Sequence, residues 1–140
     1  MKKKIKQINF EKLYDFYENI YDTYSLQDWS DMISMTVSYG EYAVRNKING
    51  NDDEAGLLLS SALTCAYLVK LAGVGNGYYE TKRDEMDAGA LIIHYAIKLV
   101  DAMYHHKPYE IQQEYEDNLI DTIYEYIMLK DSGASDCYEC

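Results

Sequence analysis

Proline is nearly absent from this chain, and glycine is sparse. Pro108 is the single proline, and eight glycines are spread over 140 residues. A sheet of many strands needs frequent turns, and these two residue types usually form them. Their scarcity therefore favours long helices over a many-stranded sheet.

A hydrophobic segment is missing after the lysines at the start of the chain. Polar residues recur at every second or third position between Ile5 and Phe16, which excludes the apolar core of a secretory signal. We therefore expect a cytoplasmic protein in which the three cysteines stay reduced.

Basic residues are scarce beyond the first twelve positions. Five of the thirteen lie within them: Lys2, Lys3, Lys4, Lys6 and Lys12. From Leu13 onward, eight basic and twenty-three acidic residues give a net charge of −15. Such a surface repels nucleic acid and acidic membranes, and it attracts basic proteins over long range. The expected partner is therefore a basic protein, and neither nucleic acid nor a membrane.

The longest apolar segment is predicted to be a central helix. Between Ala55 and Val74 the only charged residue is Lys70, and apolar side chains occur on every side of the helix. Such a helix is either buried by neighbouring helices or spans a membrane. Because Lys70 and several hydroxyl residues interrupt it and no second span follows, we interpret residues 54–72 as the core helix of a soluble domain.

Four further helices are predicted from apolar residues that recur with a helical period. Asn9, Ser25 with Asp28, and Thr81 with Asp84 are expected to cap three of them. The chain is thus predicted to be all-α, a single-domain bundle of about five helices in residues 9–133, with a central apolar helix hairpin. A flexible basic arm (1–8) precedes the bundle, and an acidic mobile tail (134–140) follows it. The predicted helices are 10–24, 26–48, 54–72, 82–106 and 108–130, of which 54–72 and 82–106 form the hairpin.

The helix 26–48 carries more apolar surface than one face requires. One stripe, predicted to face the core, consists of Leu26, Ile33, Val37, Gly40, Val44 and Ile48. The stripe beside it is rich in methionine and aromatic residues: Trp29, Met32, Met35, Tyr39, Tyr42 and Ala43. Either two neighbouring helices cover both stripes, or the second stripe is a self-association surface that makes the protein a dimer. The residues of that surface would be Trp29, Met32, Met35, Tyr39 and Tyr42.

Acidic residues repeat with one spacing near both ends of the predicted bundle. The spacing i, i+4, i+7, i+11 places four carboxylates on one face of a helix. The first acid row is Glu11, Asp15, Glu18 and Asp22, and the second acid row is Glu110, Glu114, Asp117 and Asp121. Both rows are either solvated faces of an acidic protein or surfaces that bind a partner.

Carboxylates on one helix face are about 5–6 Å apart, which is comparable to the spacing of phosphates along a nucleic-acid strand. The rows could therefore imitate nucleic acid and occupy the basic groove of a nucleic-acid-binding protein. Phages and mobile elements encode small inhibitors of this kind against host defence nucleases, anti-CRISPR proteins among them, and a small acidic chain without a catalytic motif suits that class.

An enzymatic alternative uses the same carboxylates. Acidic residues on facing helices can hold Mg²⁺, and all-helical nucleotide pyrophosphohydrolases combine Glu-x-x-Glu on one helix with Glu-x-x-Asp on another. Glu114 and Asp117 match the second half, but no upstream Glu-x-x-Glu accompanies them. The acid rows also face away from the apolar faces, whereas metal sites in bundles are built inward.

Two short motifs are interpreted as structural. The glycines of residues 73–77 resemble a phosphate-binding loop, but they follow a helix, where glycine forms a C-terminal cap. Cys137 and Cys140 have the spacing of zinc ligands and could combine with His105 and His106, but a lone Cys-x-x-Cys at the chain end is weak evidence. We therefore expect no metal and no cofactor.

Together these features predict a protein without enzymatic activity. The favoured function is a small acidic protein-interaction module that inhibits a basic nucleic-acid-binding protein through its acid rows. A Mg²⁺-dependent nucleotide pyrophosphohydrolase and a self-associating structural protein are the alternatives.

Overall fold

The structure is a computed structural model that describes residues 8–74 and 76–133, apart from the side chain of Tyr79. The described residues form six α-helices and no strand: α1 Phe10–Ile20, α2 Leu26–Ile48, α3 Asp52–Ala72, α4 Asn76–Glu80, α5 Ala88–Tyr104 and α6 Tyr109–Asp131. The predicted all-α bundle is confirmed. The predictions for the basic arm (except Ile8) and for the acidic tail with Cys137 and Cys140 lie outside the described residues.

Three predicted helix caps are confirmed. The side chain of Asn9 accepts a hydrogen bond from the backbone N–H of Lys12 (3.1 Å). Ser25 and Asp28 form a capping box, in which each side chain accepts a hydrogen bond from the other residue's backbone N–H. Gly73 ends α3 with a φ of +80°, a left-handed conformation that glycine adopts without steric cost.

The predicted cap at Thr81 is wrong, and the fourth predicted helix begins later than expected. The Thr81 hydroxyl donates a hydrogen bond to a backbone carbonyl of the short α4, so it does not cap a following helix. The chain then makes a 3₁₀ turn at Arg83–Glu85. α5 begins at Ala88, where the side chain of Asp87 accepts a hydrogen bond from the backbone N–H of Ala90 (2.8 Å).

Two helical hairpins, α2–α3 and α5–α6, build the bundle. Contacts between α3 and α5 and between α2 and α6 join the hairpins, so that the four helices form a ring around one core. α3 and α5 are its apolar pair, as predicted, but each packs most extensively on its neighbour in sequence, because short loops favour antiparallel neighbours. The largest fully buried side chains include Leu63, Ile92, Ile93, Ile97, Leu99, Leu119 and Ile123.

α3 is, within the described chain, the one helix long and apolar enough to cross a membrane, by length and composition only. The core helix of a soluble protein passes the same test. In the bundle, most residues from Leu59 to Val69 are buried against other helices. This burial agrees with the interpretation of residues 54–72 as the central helix.

The buried face of α2 combines residues from both predicted stripes. Leu26 and Ile48, predicted to lie in the core, are instead 72% and 52% exposed, because they are the first and last residues of the helix. Gly40 allows close packing on α6, since an added Cβ would lie 2.9 Å from Cδ1 of Ile123. The buried residues of α2 are Trp29, Met32, Thr36, Gly40, Glu41, Ala43 and Val44.

α1 lies outside the four-helix ring, against α3. It contains no fully buried residue, and it ends at Ile20, earlier than predicted. The ring of Phe10 contacts that of Tyr67 in α3 edge-on, with the centroids 5.0 Å apart. The ring of Tyr17 lies 5.7 Å from that of Trp29 in α2. Partly buried side chains therefore hold α1 against the edge of the core, and aromatic ring contacts are prominent among them.

Candidate functional site

Both acid rows are exposed along their whole length. Within the described chain, no ion pair joins any of their carboxylates to a lysine, arginine or histidine. Asp117 accepts a hydrogen bond from the side-chain amide of Gln113 (2.9 Å). The rows thus present to solvent negative charge that no described basic residue neutralises in an ion pair. The exposed members are Glu11, Asp15, Glu18, Asp22, Glu110, Glu114, Asp117 and Asp121.

The two acid rows lie on separate faces of the bundle. α1 packs on α3, whereas α6 packs on α5 and α2. In the four-helix ring, α3 and α6 are diagonal to each other, so α1 and α6 lie on different sides of the core. The rows therefore do not line one continuous groove, and each is a candidate interface by itself.

An open groove lies beside the first acid row, where α1 meets α3 and the end of α5. We call it the aromatic groove, and its volume is about 500 Å³. The centroid of the Phe10 ring lies 5.0 Å from that of Tyr67 and 5.6 Å from that of Tyr104. Tyr14 and Tyr104 are 44% and 47% exposed, whereas Tyr67 is 4% exposed and forms the floor. The lining residues are Phe10, Glu11, Tyr14, Asp15, Tyr67 and Tyr104.

Tyr67, the buried residue among those that line the aromatic groove, carries a polar hydroxyl. Burial raises the pKa of the Tyr67 phenol, and the neighbouring Tyr104 and Tyr14 phenols raise it further. Tyr67 is therefore uncharged at neutral pH. Among the described residues, the hydroxyl of this buried side chain has no hydrogen-bond partner. The hydroxyl is therefore open to a ligand that forms a hydrogen bond with it.

A compensated group of charges lies next to the aromatic groove. The ammonium of Lys70 donates a hydrogen bond to Oδ1 of Asp101, and Nε2 of His105 lies 3.4 Å from the same oxygen. The His105 ring also contacts that of Tyr104, with the centroids 5.1 Å apart. Since Lys70 is engaged by Asp101, it does not neutralise the carboxylates that line the groove.

A buried carboxylate that the sequence analysis missed connects α2 to α6. Glu41 is 7% exposed, and its oxygens accept hydrogen bonds from Arg45 Nε (2.8 Å) and Lys130 Nζ (2.9 Å). Arg45 donates two more to Asp131 (2.8 and 3.1 Å). Burial alone would raise the pKa of Glu41, but the hydrogen bonds and charges of Lys130 and Arg45 outweigh it and lower the pKa. This network stabilises the bundle, and its only signal in the sequence is the i, i+4 spacing of Glu41 and Arg45.

Groups suited to catalysis are not brought together in the described chain. Its residues contain no group of three or more His, Cys, Asp or Glu side chains that could hold a metal ion. Glu114 and Asp117 lie on the exposed face of α6, not on the inward face that a bundle metal site uses. Burial raises the pKa of Cys65 to about 11, so its thiol is a poor nucleophile. His94 is half-buried, and burial followed by the charge of Lys98 lowers its pKa.

The predicted self-association surface is smaller than expected. Trp29 and Met32 are 6% and 9% exposed, because they pack in the core of their own chain. Their assignment to a subunit contact is therefore corrected. Met35 and Tyr42 are 41% and 55% exposed, and Tyr39 is half-buried. These three residues remain available to a second copy.

Comparisons of the chain with family models, with curated proteins and with solved structures find no match. The function is therefore inferred from the charge, exposure and packing of the described residues.

Proposed function

We propose that this chain is a non-enzymatic, acidic protein-interaction module that inhibits a basic nucleic-acid-binding protein. The observation that carries the proposal is the state of the two acid rows: eight exposed carboxylates, none in an ion pair within the described chain. Such rows attract a basic groove over long range and speed association with it.

The second acid row is the better preorganised of the two. α6 is anchored by Leu119, Ile123 and Ile127, which are buried in the core. Carboxylates on a rigid helix lose little conformational freedom when they bind, so more of the electrostatic attraction appears as affinity. A helix of this length presents its four charges about one turn apart, in place of the phosphates of a nucleic acid.

The experiment is affinity capture from a bacterial lysate at low and high salt, followed by mass spectrometry. Glu114→Lys with Asp117→Lys reverses two charges in the second row, and we expect it to slow association with the retained protein about tenfold at low salt. Asp84→Lys with Glu85→Lys is the matched control, because it changes the net charge equally at exposed positions outside both rows. The retained protein is then assayed for nucleic-acid binding with and without the chain.

Inhibition requires that the retained protein be basic and that the chain displace its nucleic acid. Retention should also fall as salt rises, because exposed charges act through screened attraction. If the row variant and its control lose binding equally, only net charge matters, and the second row is not an interface. If neither variant changes binding, the second row is a solvated face. The proposal fails if Glu11→Lys with Asp15→Lys in the first row also leaves binding unchanged.

A second candidate function, self-association, is favoured by the exposure of Met35 and Tyr42 on α2. Exposed methionine and aromatic side chains are enriched at interfaces. Light scattering of the unmodified chain should then show a dimer, and Tyr39→Glu should give a monomer with an unchanged helical circular dichroism spectrum. A monomer before substitution would exclude this candidate.

A further inference from the structure

The aromatic groove combines three features that a cationic ligand requires. Its exposed rings, Tyr14 and Tyr104, offer negative π-faces. Glu11 and Asp15 stand at its edge, and no described lysine, arginine or histidine is paired with them. Tyr67 is the buried residue of the lining, and its hydroxyl has no hydrogen-bond partner among the described residues. The last feature is independent of the charges, and it offers a ligand an oxygen acceptor that no described residue occupies.

We infer that the aromatic groove binds an arginine side chain of the protein partner. A guanidinium is planar, so it stacks on an aromatic face, and its five N–H groups can serve several acceptors at once. Here the acceptors are the carboxylates of Glu11 and Asp15 and the hydroxyl oxygen of Tyr67. A lysine ammonium is compact and strongly hydrated, and it fits such a site less well. The inference rests on the proposed function, since it specifies what the basic partner inserts beside the first acid row.

The rings themselves limit where the guanidinium lies. The Tyr67 and Tyr104 rings are tilted by 32°, with their centroids 6.1 Å apart, which leaves no space for a third planar group between them. Phe10 closes their edges. The guanidinium therefore stacks on the outer face of Tyr104 or Tyr14, with its N–H groups directed at the acids and at Tyr67. Lys70 does not compete for these acids, because it is paired with Asp101.

The test is an NMR titration of the intact, isotope-labelled chain with three short Gly/Ser peptides. They carry one arginine, one lysine or one citrulline, the last being a neutral analogue of arginine. The arginine peptide should shift the signals of Phe10, Tyr14, Tyr67 and Tyr104 at the lowest concentration. The lysine peptide should bind more weakly, and the citrulline peptide should leave these signals unchanged.

Three variants assign the contacts. Tyr104→Leu removes one π-face and should weaken arginine-peptide binding about 2- to 5-fold. Tyr67→Phe removes only the hydroxyl and should weaken it about tenfold, with an unchanged melting temperature because this hydroxyl bonds to no described residue. Glu11→Gln with Asp15→Asn should abolish measurable binding. The matched control, Glu114→Gln with Asp117→Asn, changes the same number of charges in the second row and should leave groove binding unchanged.

The outcomes separate this inference from the proposed function. Equal shifts around both acid rows, equal binding of the arginine and citrulline peptides, or full binding by Tyr67→Phe would each overturn the arginine site. If the second-row charge reversals still weaken partner capture in that case, the proposed function stands without the groove. If the groove binds arginine as described but no basic nucleic-acid-binding protein is captured, the site stands and the proposed function fails.

Discussion

α1 and α6 carry the same spacing of acidic residues, but the bundle holds the two helices in different ways. α6 buries Leu119, Ile123 and Ile127 in the core, whereas α1 has no buried residue. α6 is also joined to α2 through Lys130 and Glu41, while α1 is attached by partly buried apolar side chains and contacts between aromatic rings. The spacing of exposed acidic residues therefore does not indicate how extensively a helix packs on the rest of the bundle.

This difference assigns separate roles to the two rows. The second row is a rigid array of charge, because core packing fixes the helix that carries it. The first row borders the aromatic groove, which exists only while α1 is packed on α3. Local opening of α1 would remove the groove and leave the second row intact, since weakly packed elements open at lower free energy than core helices.

The largest effect expected from this comparison is on stability. Ile123→Ala leaves a cavity beside Gly40 in the core and should lower the free energy of unfolding by about 3 kcal/mol. Leu13→Ala removes a half-buried side chain of α1 and should lower it by about 1 kcal/mol. Urea denaturation followed by circular dichroism measures both. Equal decreases in the free energy of unfolding would show that α1 packs into the core as extensively as α6 does.

The stability that Glu41 contributes by joining α2 to α6 should depend on pH. Glu41 has a lowered pKa, so the charged form is favoured in the fold and contributes stability above the unfolded pKa of about 4.3. That contribution is lost as the pH falls through the folded pKa. Glu41→Gln should therefore lower the free energy of unfolding by about 1–2 kcal/mol at pH 7, and the difference from the unmodified chain should shrink below about pH 4. A difference that stays constant down to pH 3 would contradict this account.

The sequence predicts the helices well because their signals are local. Apolar periodicity and caps such as Asn9 act within one or two turns, so the sequence contains the whole signal. The segment between α3 and α5 was missed because α4, at Asn76–Glu80, is too short to show a period. Thr81 and Asp84 imitate a capping pair, but the Thr81 hydroxyl is engaged by α4.

The candidate sites also include a part that the sequence predicts and a part that it does not. Exposure of the acid rows follows from their position opposite the apolar faces, and the sequence predicts it. The aromatic groove is not predictable, because Phe10, Tyr67 and Tyr104 come from three helices and only tertiary packing brings them together. The same holds for Glu41 and Lys130, which are far apart in the chain. Contacts over such sequence distances leave no periodic signal.

The attachment of α1 can be loosened selectively. Phe10→Ala removes the ring that contacts Tyr67 and Tyr104, and it should lower the free energy of opening α1 by about 1 kcal/mol. Hydrogen exchange followed by NMR should show faster exchange of the α1 amides, with those of α6 unchanged. The arginine peptide should bind more weakly to this variant. Equal acceleration in both helices would mean that α1 does not open independently.

The smallest effect expected on stability comes from charge reversal in the acid rows. It should differ between the two rows because they lie at different distances from the helix ends. Glu11 lies in the first turn of α1, where a negative charge interacts favourably with the helix dipole. Glu11→Lys with Asp15→Lys should therefore cost about 0.5 kcal/mol. Glu114 and Asp117 lie further inside α6, away from its first turn, so Glu114→Lys with Asp117→Lys loses no such interaction and relieves repulsion within the row.

Glu114→Lys with Asp117→Lys should accordingly leave the free energy of unfolding unchanged or raise it by a few tenths of a kcal/mol. Parallel thermal melts at low salt and at about 1 M salt, where screening is nearly complete, measure the two effects. The difference between the variants should be largest at low salt and should disappear at high salt. If it persists at high salt, it comes from lost packing of the side-chain stems rather than from charge, and the assignment of the two rows to purely electrostatic surfaces would be wrong.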